Sequence, residues 1–534
     1  LLISWEVMGL CSYLLISHAA ERPSACRAAT KAFLVNAAAD IGFSFGIILT
    51  FFTFGTLDIP TILAQAEGMQ DYTINILGWM GLELNIHPVT VIPFLLFAGA
   101  MGKSAQIPFH VWLPLAMEAP SPVSALIHAA TMVNAGPFLL VRLSPLIILS
   151  PYAMAFIAII GVSTAVFAGI VSLTQSDIKK ILAYSTISQI GFMVMACGLG
   201  AFSVAIFHLL AHGCYKAFFF LSTGNALRSV EPGHRHGDHE HHAYEGMGTL
   251  YVGALLLALI PPFVLFSGSY EYLWGITGFV SAAIGFKIIG LITVFVAAQY
   301  LFKTVTSLFS HGPKTYWPQD SLETQSVRPQ FFNGSILTGL FLATIFVGWL
   351  MTLFWSWFAD FLAPVLTFPG VTLGEGAVEH GFSFWLVVSL GVAVAGWFYA
   401  YSTQMRSQDQ VSRAKGKSNR FYVLFWNKGY FDEIYDAYLV NPTIRFANWL
   451  WRIIDIRVID KFIYFIANYS VYFARWLWRI IDIRWLEQKV GQLVVQVDAE
   501  GELSQGKKFH TLQHQLLVMI FWLVALTGLL YVLV

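Results

Sequence analysis

From Phe202 to Leu221 the chain reads FSVAIFHLLAHGCYKAFFFL, an apolar run of membrane-spanning length that contains His208, His212 and Lys216. The three residues are spaced four positions apart, so on a helix they form one stripe with about 6 Å between neighbours. An ionisable side chain inside a span costs at least about 2.5–3.5 kcal/mol on insertion scales, so this stripe indicates a function. The alternative is that the histidines are core residues satisfied by backbone groups.

The composition of the chain indicates an integral membrane protein. Charged residues make up 11% of the 534 residues, apolar residues 57% and aromatic residues 16%. Soluble globular proteins have about 25% charged residues. The 30 Lys and Arg balance the 30 Asp and Glu, which leaves no basic excess for nucleic acid and no acidic excess for a disordered tail.

The apolar stretches predict an all-α integral membrane protein with about twelve transmembrane helices of about 20 residues. They lie near 1–17, 32–56, 90–113, 121–149, 152–174, 181–200, 202–227, 249–267, 276–308, 334–358, 382–402 and 512–534. Prolines interrupt two of them, at Pro108 and at Pro261-Pro262, which predicts broken helices that line a polar cavity. The chain begins at Leu1 without methionine, and we interpret it as a fragment that starts inside a helix.

The segment 420–490 differs from the spans, because a charged residue or asparagine interrupts its aromatic and aliphatic residues every three or four positions. This pattern is typical of a long amphipathic helix that lies along a surface. The sequence WLWRIIDIR occurs at 449–457 and again at 476–484. This separation is about 7.5 helical turns, so one straight helix would place the two copies on opposite faces. We therefore expect a break near Asn468–Ser470.

Other ionisable residues fall inside or beside the predicted spans. They are Glu6, Asp40, Lys103, His128, Glu271 and Lys287. Lys103 follows a long apolar run and precedes Pro108 by five residues, so it lies too deep to reach the membrane surface easily. We expect Lys103 to lie in a cavity with Glu6 as its counter-ion, because a buried Lys–Glu pair can change its charge state when another charge approaches.

No metal or redox site is predicted. Two histidines at i and i+4 can bind zinc, but no carboxylate lies near His208 and His212, and Lys216 would repel the metal. The run from His234 to His242 fits no defined metal site, and we interpret it as a solvated loop. The four cysteines form no C-x-x-C, and no G-x-G-x-x-G follows a strand. We therefore expect no cofactor in this chain.

Six segments of the sequence resemble the proton-pumping, antiporter-like membrane subunits of respiratory complex I, in particular the distal subunit L or chain 5 of NADH–quinone oxidoreductase. They are Trp5–Ile16, Lys31–Asp40, Lys103–Pro114, Ala116–Val133, Asp177–Gly191 and Phe207–Ala217. The stretch Asn427–Asp436, with the amphipathic segment after it, resembles the C-terminal arm of the distal subunit.

The resemblance implies a role for each ionisable residue and an organisation of the chain. The chain of proton carriers would consist of Glu6, Lys103, His128, His208, His212 and Lys216, with Asp40 as a modulating acid. The resemblance also implies two inverted repeats, further membrane helices and loops, a lateral arm and an anchoring helix. Their ranges would be 1–143 (without its opening helix), 151–308, 309–420, 421–505 and 506–534.

The resemblance further implies a subunit of an NADH–quinone oxidoreductase in a bacterial plasma membrane or an equivalent energy-transducing membrane. Its partners would be sister antiporter-like subunits and lipid, with no nucleic acid. NADH, FMN, iron–sulfur clusters and quinone would belong to other subunits, so this chain would carry no redox chemistry of its own.

The sequence departs from the family pattern at the expected proton exit. Ser269 stands where the family has a lysine, so Glu271 is the first candidate for the exit group and Lys287 the second. Leu115 likewise replaces an acidic residue. Two alternatives stay open: an ion-translocating subunit of an Mrp-type cation/proton antiporter or of an inorganic-carbon uptake system, and a non-conducting bracing scaffold, which the loss of the lysine favours.

Overall fold

The computed structural model describes residues 1–75, 85–228, 280–309, 355–366, 378–407 and 420–481, together with isolated positions outside these ranges. These ranges are mostly helical, as predicted for an all-α membrane protein. One short antiparallel hairpin pairs Ile74–Asn75 (β1) with Asn85–Ile86 (β2). The chain forms two compact units, Leu1–Glu433 and Ile434–Val534.

Six helical stretches within the described ranges are long and apolar enough to cross a membrane. They are Pro23–Phe54, Ser121–Arg142, Pro151–Thr174, Ile178–Gly198, Phe202–Leu221 and Gly285–Thr306. Three shorter apolar helices, Leu2–Ile16, Pro88–Lys103 and Val387–Thr403, coincide with further predicted spans. The predicted spans at 249–267, 334–358 and 512–534 lie wholly or mostly outside the described residues, so the predicted number of spans stays a prediction.

The first four helices are α1 (Leu2–Ile16), α2 (Pro23–Phe54), α3 (Ile59–Gln65) and α4 (Pro88–Lys103). Proline lies in the first turn of α2, α3 and α4, where its missing N–H would have no partner within the helix. Helix α2 packs along α4 and also contacts α1. These contacts bring the middle of α2 to the C-terminal end of α4.

The helix break predicted near Pro108 begins directly after α4. Residues Phe109–Trp112 and Leu115–Glu118 form 3₁₀ turns. The Trp112 indole N–H donates to the Gly102 carbonyl at 2.9 Å, one of the carbonyls near the end of α4. The break therefore leaves Lys103 on the last turn of a helix, inside the protein.

A second interruption follows in the next predicted span. Its short elements are α5 (Ser121–Ala125), a π-helical turn (Leu126–Ala130), a 3₁₀ turn (Met132–Asn134), α6 (Ala135–Arg142) and α7 (Ser144–Ile147). Single π-helical turns inside helices occur frequently at functional sites. His128 lies within the π-helical turn.

Helix α9 (Ile178–Gly198) lies at the centre of the second half of the fold. It packs against α8 (Pro151–Thr174), α10 (Phe202–Arg228) and α11 (Val280–Phe309). Every residue of α9 from Ile181 onward is buried, as expected of a helix surrounded by other helices. Polar side chains on α9 can therefore reach partners on three neighbouring helices.

Four further helices are described in or at the end of the first unit. They are α12 (Trp355–Leu366), α13 (Val378–Ser407), α14 (Arg420–Trp426) and α15 (Phe431–Tyr435). Helix α13 packs against α11, and α14 packs against α8. A turn with positive φ angles at Lys428–Tyr430 joins α14 to α15.

The second unit contains α16 (Asn441–Leu450) and α17 (Lys461–Leu477), joined by the π-helical segment Trp451–Asp460. The expected break near Asn468–Ser470 is wrong, because α17 runs through it without interruption. A π-helix bonds residues five apart, so its turns are wider than those of an α-helix. The π-helical segment covers most of the first sequence copy, and the chain stays helical from there through the expected break.

Candidate functional site

The first buried lysine forms an ion pair where α1, α2 and α4 meet. Lys103 Nζ lies 2.9 Å from Asp40 Oδ2, and the two side chains are 1% and 5% exposed. The Trp5 indole N–H donates to the second carboxylate oxygen, Oδ1, at 2.7 Å. Each oxygen of Asp40 thus has its own donor, which fixes the carboxylate and satisfies a buried charge.

Helix α1 approaches the Lys103 ammonium closely. A Cβ atom added at Gly9 would lie 2.8 Å from Lys103 Nζ, so a larger residue there would displace the lysine. The same nitrogen lies 5.9 Å from the centroid of the Trp5 ring, within the range of a cation–π interaction. Residues of α1 therefore surround the pair formed by α2 and α4.

The expected counter-ion of Lys103 was wrong. Asp40 holds the ion pair with Lys103, whereas the Glu6 side chain is exposed. Trp5 is buried in the core, and the next residue on a helix is turned by about 100°, so Glu6 lies on the exposed side of α1. The packing of α2 along α4 decides the pairing, and no local sequence pattern reports that packing.

The second buried lysine is held by α9 and has no carboxylate partner in the described part of the chain. Lys216 is fully buried and donates to Ser185 Oγ at 2.6 Å and to the Leu182 carbonyl at 3.2 Å. The Ser185 hydroxyl donates to the same carbonyl at 2.9 Å. Two dipoles, and no opposite charge among these residues, therefore surround the Lys216 nitrogen.

The stripe predicted on α10 is present, because the helix is continuous across His208, His212 and Lys216. All three residues are fully buried. His208 Nε2 lies 2.7 Å from Gln189 Oε1, and neither ring nitrogen of His212 has a hydrogen-bond partner among the described residues. The core-residue alternative requires backbone partners for these histidines, and the described residues provide none.

His128 lies against α10. It is fully buried, and its ring centroid is 5.2 Å from that of Phe220. A Cβ atom added at Gly213 would lie 2.9 Å from the Ala129 carbonyl oxygen, so only glycine permits this close approach of α10 to the π-helical turn. The Asn134 side-chain amide donates to the same carbonyl at 2.7 Å. The π-helical turn therefore brings His128 to the helix that carries the stripe.

Four polar partners of these groups escaped the sequence interpretation. They are Ser185, Ser188, Gln189 and Tyr300. The first three share one face of α9, at positions i, i+3 and i+4, and Tyr300 on α11 meets that face. A polar stripe in a fully buried apolar helix is a signal that could have identified the first three. Tyr300 is separated from Gln189 by 111 residues, and no local pattern links them.

The family described as "NADH:quinone oxidoreductase/Mrp antiporter, TM" matches residues 1–296, which is more than half of the chain. The chain belongs to this family. The match extends from α1 into α11 and includes both buried lysines.

Relatives of this chain are named as subunits of NADH-quinone or NADH-ubiquinone oxidoreductases. NADH-quinone oxidoreductase subunit L of Rickettsia felis is 36% identical over 86% of this chain and 71% of its own length. NADH-ubiquinone oxidoreductase chain 5 of Marchantia polymorpha is 33% identical over 84% of this chain and 67% of its own length.

A solved structure shares the fold of this antiporter-family chain. The Mrp complex from Dietzia sp. DQ12-45-1b matches with a TM-score of 0.60 and 22% identity over 89% of this chain. The chain spans about half, 49%, of the length of that Mrp chain.

A further cluster of this antiporter-family protein ties residues 426–432 to its membrane helices. Asp432 Oδ1 lies 2.6 Å from Lys31 Nζ of α2. The Phe431 ring packs edge-on against His110, in the break after α4, with centroids 4.7 Å apart, and against Phe167 of α8 at 5.4 Å. The Gln175 amide donates to the Trp426 carbonyl at 3.3 Å. The stretch that resembles the family's arm therefore begins in contact with α2, α8 and the break.

The carboxyl of Asp432 is shifted by this environment. Burial raises its pKa, but the hydrogen bond and the charge of Lys31, with a smaller contribution from Lys428, outweigh burial and hold the pKa below its ordinary value. Lys428 Nζ lies 3.4 Å from Asp432 Oδ2. Asp432 is thus the carboxylate that joins α2 to the turn before α15.

Most of the remaining predicted positions fall outside the part of the chain that the structure describes. Glu271, Ser269 and the run from His234 to His242 lie outside the described residues. Lys287 is half-buried on α11. Within the described ranges no group of three or more histidine, cysteine, aspartate or glutamate side chains is arranged to hold a metal ion.

Proposed function

We propose that the chain is the distal antiporter-like subunit of a complex I-like NADH–quinone oxidoreductase and translocates protons while other subunits reduce quinone. The observation that carries this proposal is Lys216, fully buried and held by Ser185 and a backbone carbonyl, in a fold that also buries the Lys103–Asp40 pair. Relatives named as subunits of NADH–quinone oxidoreductases support it.

The Lys103–Asp40 pair acts as the charge switch in this proposal. A closed pair is neutral overall, so it has little effect on other charges in the low-dielectric interior. An open pair leaves the Lys103 ammonium uncompensated, which raises the free energy of a positive charge elsewhere in the chain of carriers. The state of this pair then decides whether Lys216 keeps or releases its proton.

The histidines connect the two lysines in the proposed path. A neutral imidazole accepts a proton at its unprotonated nitrogen and can release it again, so His128, His208 and His212 can each pass a proton onward. Glu6, exposed on α1, is the member of the path that a neighbouring subunit can reach. Glu271, or Lys287 in its place, releases the proton in the second repeat.

The organisation expected from the resemblance belongs to the same proposal. It comprises about twelve spans, two inverted repeats in 1–143 and 151–308, and a lateral arm in 421–505 that braces sister subunits. The contact of Phe431 and Asp432 with α2, α8 and the break supports an arm that starts on the first unit. The membrane would be a bacterial plasma membrane or an equivalent one, and the cofactors would lie in other subunits.

Cation/proton antiport is the second candidate function. The likeness of the fold to a chain of the Mrp complex favours it, since buried lysines of the same kind could exchange protons against another cation. The two candidates differ in the driving force, which is NADH oxidation in one and a cation gradient in the other.

The test compares Lys216→Met with Lys180→Met in closed membrane vesicles that contain the chain and its neighbouring subunits. Lys180 is the control, because it begins the same helix that holds Lys216 but its side chain is 45% exposed. We expect Lys216→Met to reduce NADH-driven proton uptake at least tenfold, about 1.4 kcal/mol on the limiting barrier, while Lys180→Met has no effect.

Two other results would favour one of the alternative functions. A pH change that requires Lys216 and a sodium gradient but no NADH would identify the antiporter. Unchanged proton uptake per NADH in Lys216→Met would contradict translocation through this chain and favour the bracing scaffold.

A further inference from the structure

A chain of buried hydrogen bonds ends on His208. His208 Nε2 lies 2.7 Å from Gln189 Oε1, and Gln189 Nε2 donates to Tyr300 Oη at 2.6 Å. The Tyr300 hydroxyl contacts Ser188 Oγ at 3.4 Å, and the Ser188 hydroxyl donates to the Ala165 carbonyl at 2.8 Å. This series of hydrogen bonds thus joins α10, α9, α11 and α8.

The Ala165 end of this series of hydrogen bonds determines which group donates and which accepts in each of them. The Ala165 carbonyl can only accept, so it takes the single hydroxyl hydrogen of Ser188. Ser188 Oγ then accepts the hydrogen of Tyr300, and Tyr300 Oη accepts from the Gln189 amide nitrogen. The amide oxygen of Gln189 is left facing His208, and an oxygen accepts only from a nitrogen that carries hydrogen. His208 Nε2 is therefore the protonated nitrogen of the neutral ring.

The other ring nitrogen gives a second, independent argument. His208 Nδ1 is buried and has no hydrogen-bond partner among the described residues. If the neutral ring were protonated at Nδ1, a buried N–H donor would be left without an acceptor, which costs about 1–3 kcal/mol. Protonation at Nε2 avoids this cost, because the N–H then meets Gln189 Oε1 and Nδ1 keeps only a lone pair.

We propose that Gln189 is a positioning residue which, together with Tyr300 and Ser188, holds neutral His208 in the tautomer protonated at Nε2, so that Nδ1 is the atom that accepts and releases the translocated proton. This inference deepens the proposed function and rests on it for the role of the proton. The proton does not pass through Gln189, whose amide keeps its bonds to His208 and Tyr300 in both states of the ring.

The same face of α9 holds the other end of the stripe. Ser185 lies one turn before Gln189 and binds Lys216, two turns after His208 on α10. One helix face therefore positions both the terminal histidine and the terminal lysine of the stripe. His212 lies between them, and its ring nitrogens have no partner within the described ranges.

The first experiment reads the tautomer directly and needs no proton pumping. The complex is labelled with ¹⁵N-histidine, and solid-state NMR in its vesicles distinguishes protonated from unprotonated ring nitrogens. Since the chain has 15 histidines, the His208 signals are identified by their loss in His208→Asn. We expect one neutral tautomer, protonated at Nε2. A His208 ring protonated at Nδ1 would overturn the inference, even if the chain translocates protons.

The second experiment removes the constraint without touching His208 or Gln189. In Tyr300→Phe the Gln189 amide is free to rotate, so we expect a mixture of both His208 tautomers and at least threefold slower NADH-driven proton uptake. The matched control is Tyr215→Phe, because Tyr215 is equally buried and its hydroxyl has no partner among the described residues. It should keep a single tautomer and the wild-type rate.

Gln189→Leu tests the hydrogen bond between His208 and Gln189 directly. It removes the acceptor of the His208 N–H, so we expect a larger loss of proton uptake than in Tyr300→Phe, while quinone reduction continues. Equal effects of Tyr300→Phe and Tyr215→Phe, or a single tautomer in Gln189→Leu, would contradict a positioning role. If Lys216→Met loses translocation but the His208 ring is protonated at Nδ1, this inference is refuted. The proposed function is then still supported.

Discussion

The two deeply buried lysines of this protein have opposite surroundings. Lys103 faces the carboxylate of Asp40, which the Trp5 indole holds from the other side. Lys216 faces the Ser185 hydroxyl and a carbonyl, with no carboxylate beside it in the described part of the chain. The same side chain therefore meets a fixed opposite charge in one place and only dipoles in the other.

This difference suggests a division of labour between the two lysines. A buried ion pair holds both partners charged, and the loss of one partner leaves an uncompensated charge in the interior. A lysine held by dipoles has no counter-ion that fixes its charge, so its protonation state can change in response to neighbouring charges. We therefore assign the switch to the Lys103 centre and the exchangeable proton to the Lys216 centre.

The largest effect is expected at the paired lysine. Asp40→Asn should destabilise the first unit by about 3–5 kcal/mol, because it leaves the Lys103 ammonium buried without a counter-charge. The measurement is the thermal unfolding of the complex in mild detergent. The double variant Asp40→Asn, Lys103→Met removes both charges and should recover most of the lost stability. If the double variant is as unstable as the single one, the ion pair is not the cause.

A smaller effect is expected at the lysine held by dipoles. Ser185→Ala removes one of the two groups bonded to Lys216, a change of about 1–3 kcal/mol, and we expect NADH-driven proton uptake to slow several-fold. Ser172→Ala is the matched control, because Ser172 is equally buried and its hydroxyl contacts an α9 carbonyl, that of Ile181, at 3.2 Å. Equal proton-uptake rates in Ser185→Ala and Ser172→Ala would show that the Ser185 hydroxyl does not contribute to translocation.

The smallest effect is expected at the half-buried ion pair of Asp432. The lowered pKa means that this carboxylate stabilises the contact with Lys31 above its ordinary pKa, and that the contribution is lost as the pH falls through the lowered value. The hydrogen-exchange protection factors of residues 420–433, which are corrected for the intrinsic pH dependence of amide exchange, should therefore stay constant near neutral pH and fall in acid. Asp432→Asn should show the lower protection of the acid state at all pH values, a loss of less than about 1 kcal/mol.

Glu433→Gln serves as the control for this pair, since it changes the next carboxylate in the chain and leaves the Lys31 contact intact. If the protection factors in 420–433 rise as the medium is acidified, the direction assigned to the pKa of Asp432 is wrong.

Part of the fold and of the candidate site could be read from the sequence. The stripe on α10 was predictable because a helical period relates His208, His212 and Lys216 directly. The break after Lys103 was predictable because Pro108 lacks the N–H that a helix interior requires. Both features depend only on residues close to each other in the chain.

The partners of these residues were not predictable in the same way. Asp40 is 63 residues from Lys103, and Tyr300 is 111 residues from Gln189, so each contact depends on how whole helices pack. The assignment of Glu6 as the counter-ion failed for this reason. The π-helical turn at His128 and the uninterrupted α17 also depend on backbone bonding that side-chain periodicity does not report.

The most direct test of the two-lysine account replaces each lysine by arginine, which keeps the positive charge but does not release its proton. The measurement is the number of protons moved per NADH oxidised in closed vesicles. We expect Lys103→Arg to pair with Asp40 and to keep at least half of the wild-type stoichiometry, while Lys216→Arg should lose translocation as completely as Lys216→Met. Wild-type stoichiometry in Lys216→Arg would show that Lys216 does not exchange its proton, because a permanently charged side chain would then suffice at that position.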